Sequence, residues 1–209
     1  MDILLQPKSV YPWYTENGIS VRGYFQSKTV PEVILRDSTA VNYFSDVNSL
    51  EDLTARLEAI DGVFSVIIDH GTSIYAAVDR ARSMPLYYAV NAAALSDDSK
   101  SLREYLHIGE EHTDPLRMAE LLVAGVVSDR YTVYQEIRQL PMATVAEWRD
   151  GTLRTAVYYS HIAATVNYDR AEAKTALRRT AEHMMDHILK VVADRPIVLS
   201  LSGGYDSRF

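Results

Sequence analysis

The chain has 209 residues, 47% of them hydrophobic, and a formal net charge of −7 that comes from interspersed acids rather than an acidic tail. That is enough apolar material for one large domain, or for one domain and a fragment, while the acidic balance and the lack of any basic stripe exclude nucleic acid and anionic membrane surfaces as partners. There is no cysteine, which removes disulfides, thiolate metal sites and a thiol nucleophile. The opening residues Met1-Asp2-Ile3-Leu4-Leu5-Gln6-Pro7 have neither a basic start nor a long apolar run, so no signal peptide is expected and a cytoplasmic protein is.

In chain order, the β-rich run Ile19 to Phe25 predicts a strand, with a second at Val33 to Leu35,. Ser49, with the acid Asp52 three residues on, opens a helix whose Leu53, Leu57 and Ile60 share a face and which Asp61-Gly62 ends,. Two strands follow, Val63 to Asp69 and Ser73 to Val78, joined by a tight turn at His70-Gly71-Thr72,. A third, Leu86 to Val90, comes after Pro85, and the three predict an antiparallel meander in the middle of a sheet. Ser99 to Tyr105 reads as a short helix, and Asp114-Pro115 as the N-cap and first-turn proline of a helix reaching about Gly125,. Thr144 to Trp148 and Thr152 to Tyr159 flank Asp150-Gly151, a hairpin signal,. Antiparallel pairings with helices between them predict an α+β domain.

The character changes after about Ala163. Tyr168-Asp169-Arg170 starts a long helix to Val192, with Leu177, Met184, Ile188 and Val191 at helical spacing,. After the break at Asp194-Arg195-Pro196, the apolar run Ile197 to Leu201 predicts a strand buried on both faces, as in a parallel sheet,. Residues 1–163 then form one domain and residues 164–209 the start of an α/β nucleotide-binding domain.

That strand leads straight into Ser202-Gly203-Gly204-Tyr205-Asp206-Ser207. Glycines let the main chain turn tightly and approach a ligand, successive amides form an anion nest, and an aspartate can hold Mg²⁺ beside phosphate oxygens. By average residue usage the five fixed positions occur by chance in about one such chain in a few thousand. No lysine follows the glycines, so this is not the common phosphate-binding loop.

The S-G-G-x-D-S run resembles the ATP-pyrophosphatase loop of the asparagine-synthetase family. Other segments resemble that family in the same order: Asp61-Gly62-Val63-Phe64-Ser65-Val66, then Asp79-Arg80 with Pro85-Leu86-Tyr87-Tyr88, then Leu95-Ser96-Asp97-Asp98, then Ile137-Arg138-Gln139-Leu140-Pro141 before Asp150-Gly151. The resemblance implies an N-terminal-nucleophile-hydrolase-like α-β-β-α sandwich carrying a glutaminase, followed by the helix, strand and pyrophosphate loop that begin the ATP domain. It further implies an ATP- and Mg²⁺-dependent ligase that adenylates a carboxylate, of a small molecule or a peptide, and forms an amide, as in asparagine biosynthesis. Ser202, Gly203, Gly204 and Ser207 would cradle the pyrophosphate, and Asp206 would bind the metal.

The family's nucleophile is a cysteine exposed after methionine removal, whereas Asp2 stands at that position here. A carboxylate cannot replace the thiolate. The family's R-L-S-I and N-G-E-I-Y-N segments are also absent, and Arg82 replaces a glycine of the Asp79-Arg80 segment. No catalytic glutaminase residue is therefore assigned. Such a degenerate front domain is similar to those of β-lactam synthetases and lasso-peptide cyclases, in which an amine within the substrate attacks. The alternative is a non-catalytic scaffold that docks a partner or supports a homodimer. The protein is expected to continue past Phe209, and these residues alone to show no ligase turnover.

Three weaker candidates stand aside. His183 and His187 lie four apart on the long helix, but without the glutamate of a zinc-protease pattern or a third ligand,. Asp79-Arg80 reads better as an ion-paired strand end than as a ligand clamp, and the 14 tyrosines suit a sheet-rich domain better than a base-stacking platform,.

Overall fold

Strand β3 (Ile19–Ser27) sends Ile19, Val21 and Phe25 into one core while Arg22 emerges on the opposite side, and this period-two alternation organises the chain from Met1 to His161. The computed structural model describes residues 1–7, 11–162, 169–198, 200, 202 and 204. Two units separate, Met1–His161 and Ile162–Phe209.

The first unit holds two sheets. The larger has the order β11-β10-β6-β5-β3-β2, with β4 also paired to β3; the strands are β2 (Tyr14–Glu16), β3, β4 (Ile34–Leu35), β5 (Ile60–Asp69), β6 (Ser73–Val78), β10 (Thr144–Arg149) and β11 (Thr152–Val157). The smaller has the order β1-β8-β7-β9, from β1 (Asp2–Leu4), β7 (Tyr87–Ala89), β8 (Ala94–Ser96) and β9 (Ile137–Gln139). One core lies between the larger sheet and the helices α1 (Asp37–Tyr43) and α2 (Leu50–Glu58), where Phe25 meets Phe44 and Phe64 edge-on at 5.4 Å each,. A second fills the space between the sheets, with Ile67, Ile74, Ala76 and Val78 against Tyr88 and Leu95. The third sits on the far side of the smaller sheet, where Ala89, Ala94 and Ile137 pack against Leu102 of α3 (Ser99–Tyr105). The layers therefore run helix, sheet, sheet, helix, the order the resemblance implies.

Capping chemistry sets the helix starts. The Ser49 hydroxyl accepts from the Asp52 amide at 3.0 Å, and Asp114 caps α4 (Pro115–Ala124) by accepting from Leu116 and Arg117 amides,. Gly125 closes α4 in the left-handed conformation,.

Three expectations are corrected. Asp61-Gly62 does not end α2, which stops at Glu58; both residues lie in β5. There Gly62 lies against β3 so closely that a Cβ would come 2.3 Å from the Tyr24 carbonyl oxygen, and Gly23, at φ +91°, returns the close approach with Val63 O at 2.0 Å,. The expected meander breaks after its second strand. Both edges of β6 are taken, by β5 and β10, and the loop following Asp79 carries the chain across to the smaller sheet, where β7 pairs with β8 and β9. Finally, Ile197, Val198 and Ser200 form no strand, and Ile197 and Val198 are exposed at 50% and 91%. A parallel strand needs a neighbour to satisfy its amides, and among the described residues none pairs with this run. Leu199 and Leu201 lie outside the described residues.

In the second unit α5 (Arg170–Val192) starts at the Asp169 N-cap as its pattern predicts. Its apolar positions Leu177, Met184 and Ile188 are exposed. No helix of the described residues is long and apolar enough to cross a membrane.

Candidate functional site

Strand β1 runs parallel to β8, with Asp2 opposite Ala94 and Leu4 opposite Ser96. The Asp2 amide donates to the Ala93 carbonyl at 2.7 Å, while its exposed carboxylate accepts from the Tyr105 hydroxyl. That hydrogen bond holds the Tyr105 phenol above its ordinary pKa. Both polar ends of the residue standing where the nucleophile is expected are thus engaged.

Asp79 is buried at the end of β6, and its carboxylate is saturated. One oxygen accepts from the Ala81 amide at 2.8 Å and the Ser83 hydroxyl at 3.1 Å; the other accepts from the Ser83 and Phe64 amides at 3.0 and 3.3 Å. Arg80 pairs with Asp61, donates to the Ile60 carbonyl and lies 4.2 Å over the Tyr159 ring. These contacts fold a corner rather than clamp a ligand, in keeping with the strand-end reading. Their effect is to aim the chain at the second sheet.

A buried constellation that sequence reasoning missed joins the two sheets. Arg22 donates through Nη1 to Asp97 Oδ2 at 2.8 Å and through Nη2 to the Pro85 carbonyl at 3.1 Å. Asp97 also accepts from Trp13 Nε1 and the Gln6 amide, each at 2.9 Å, and the Arg22 guanidinium lies 4.9 Å over the Trp13 ring,. Burial lowers the Arg22 pKa, and the Asp97 charge opposes that shift,. The available signal was an arginine in the middle of an otherwise apolar strand, together with an acid directly after β8.

At one end of the intersheet space a cleft of about 680 Å³ opens, lined by Met1, Tyr88, Arg130, Arg138, Trp148 and Leu153 among others. Its rim is built from three connections: Gly71-Thr72 between β5 and β6, Asn91-Ala92-Ala93 between β7 and β8, and Asp150-Gly151 between β10 and β11. Tyr88 and Trp148 meet edge-on at 5.8 Å across its floor. Burial raises the Tyr88 pKa, with Arg130 and Arg138 pulling the other way, so both cations sit near that phenol.

Of the nucleotide-loop residues, Ser202 and Gly204 are described and exposed. The Gly204 amide donates to the Ser202 hydroxyl at 3.2 Å, a local glycine–serine turn. Gly203, Asp206 and Ser207 lie outside the described residues. Among the described residues, no group of three or more histidine, aspartate or glutamate side chains is placed to hold a metal.

Residues 47–159 match the model of a glutamine amidotransferase domain. No curated protein matches the sequence. Similar solved structures include the glutamine phosphoribosylpyrophosphate amidotransferase from B. subtilis complexed with ADP and GMP, at 10% identity and a TM-score of 0.40 over 71% of this chain and 31% of that one, and a protein described as the allosteric regulatory enzyme of purine biosynthesis, at 13% identity and a TM-score of 0.38 over 75% of this chain and 32% of that one. The chain thus spans about a third of the length of either.

Proposed function

The chain belongs to the glutamine amidotransferase domain family, and on that premise we propose that it is the front part of an ATP-dependent amide-forming ligase of asparagine-synthetase type whose glutaminase has been lost. The observation that carries this reading is the state of Asp2. Releasing ammonia from glutamine requires a nucleophile that attacks the carboxamide carbon and holds the acyl group until water removes it. The sequence has no cysteine, and Asp2 has its amide on Ala93 and its carboxylate on Tyr105. A carboxylate attacking an amide would have to form an anhydride while expelling ammonia, which is uphill because the anhydride is a far less stable acyl compound than the amide it replaces.

The ligase half rests on the S-G-G-x-D-S run. ATP bound with Mg²⁺ supplies the adenylyl group that activates a carboxylate for attack by an amine. Ser202, Gly203, Gly204 and Ser207 would hold the pyrophosphate, and Asp206 the Mg²⁺, so that the chain's contribution is placement and charge neutralisation.

Two measurements test the two halves. Incubated with L-glutamine, the protein should release ammonia at the rate of a buffer blank; a clear enzymatic rate would overturn the loss of glutaminase. Pyrophosphate exchange into ATP, measured on a chain extended beyond Phe209 with aspartate and peptide acids, should reveal carboxylate activation. A flat result across the panel would favour a non-catalytic scaffold instead.

A further inference from the structure

The intersheet cleft has chemistry that neither the amidotransferase nor the ATP reading uses. Its floor is apolar and aromatic: Trp148 pairs in register with Ile74 on one side and Leu153 on the other, and Tyr88 closes it from the smaller sheet. Arg138 is the cross-strand partner of Tyr88, which brings its side chain to the same mouth. Its Nη1 donates to the carbonyls of Gln135 and Ile137 at 2.7 and 3.1 Å, and among the described residues no carboxylate forms an ion pair with it. Arg130 has only a loose pairing with Asp129 at 3.7 Å. The third arginine of the lining, Arg149, is committed elsewhere, to Glu147 at 3.0 Å and the Tyr75 hydroxyl at 2.7 Å.

In a protein of net charge −7, two cations without tight carboxylate partners above an aromatic floor form a local exception. A cleft of about 680 Å³ falls within the range of small-molecule sites, on the order of 300–1,000 Å³. A planar guanidinium matches a planar carboxylate, and the Tyr88–Trp148 pair offers ring edges and faces to a flat apolar body. We propose that this cleft binds a small, flat monocarboxylate, its anionic end against Arg138 and Arg130 and its apolar body against Trp148, Tyr88 and Leu153.

Phenylacetate is a suitable probe, with phenylacetamide as its uncharged counterpart, both titrated calorimetrically into the 209-residue chain. Phenylacetate should bind saturably with a Kd of about 1 mM or below, and the amide at least about tenfold more weakly. Arg138→Gln should weaken phenylacetate by about tenfold or more. Because Arg138 also braces nearby carbonyls, the exposed Arg130→Gln serves as the second variant and should weaken binding by about threefold or more while leaving the unfolding midpoint unchanged. Equal binding of acid and amide, or unchanged affinity in both arginine variants, would overturn the proposal. So would a preference for L-glutamine over phenylacetate, which would make the cleft a remnant amidotransferase pocket.

Discussion

Arg22 on β3 and Asp97 after β8 form an ion pair of 2.8 Å that spans the two sheets, with the side chains 8% and 2% exposed. Removing one partner strands the other charge in a dry environment. Asp97→Asn should therefore cost about 3–5 kcal/mol, read as a lower urea midpoint. Replacing both residues with leucine should cost less than the single change, since no buried charge is then left alone. A single variant as stable as the parent would show that the pair does not hold the sheets together.

The close approach of β3 and β5 makes a second prediction. At Gly23 a side chain would face both a positive φ and the Val63 carbonyl at 2.0 Å. Gly23→Ala should lose at least about 3 kcal/mol, where an exposed glycine such as Gly71, which has nothing within 4 Å of a built Cβ, should lose less. Comparing the two variants by chemical denaturation separates steric crowding from turn strain.

Alkaline pH should destabilise the first unit through its tyrosines. The Tyr158 hydroxyl donates to the Val78 carbonyl at 2.9 Å; burial, with the Asp79 charge, raises its pKa well above the ordinary value, and Arg80 opposes that rise. The folded state thus keeps its proton where the unfolded phenol, with a pKa of about 10, loses it. The folded chain then binds more protons, so stability is full below about pH 10 and falls as pH climbs beyond it. Tyr24, Tyr43, Tyr87 and Tyr88 are raised by burial too. Tyr158→Phe should cost about 1 kcal/mol at neutral pH and flatten the alkaline decline without abolishing it; an unchanged slope would remove Tyr158 from this account.

Restoring a thiol should not restore glutaminase. In Asp2→Cys, removal of Met1 would free the amine that takes the thiol's proton, but the R-L-S-I and N-G-E-I-Y-N segments that the resemblance places around glutamine remain absent. Ammonia release from glutamine should stay at background, and a measurable rate would show that the nucleophile alone was missing.

Local chemistry was legible in the sequence wherever a turn or cap decides the outcome. The Asp150-Gly151 hairpin, the Ser49 and Asp114 caps and the turn at Gly71 all stand where residue type demands. Long-range pairing was not. Strands β1, β8 and β9 are three residues each, too short to show a period, and β7 joins the smaller sheet because β6 already has two partners. The Arg22–Asp97 contact joins positions 75 apart, and the cleft is assembled from turns of both sheets, so neither leaves a contiguous pattern. The nucleotide loop shows the reverse case. Its sequence is the sharpest in the chain, yet only Ser202 and Gly204 of its proposed ligands are described.

The parallel pairing of β1 with β8 has a consequence for how the protein is made. Leu4 and Ser96 touch across 92 positions of sequence, so at about 5–20 residues per second the nascent chain carries Ile3-Leu4-Leu5 unpaired for about 5–20 s after it leaves the ribosome. During that interval the segment is an apolar stretch awaiting its mate, a natural client for a chaperone acting at the exit tunnel. Synthesis and the finished architecture thus run in different orders: β1 can find its place only once β8, 92 positions later, has been made.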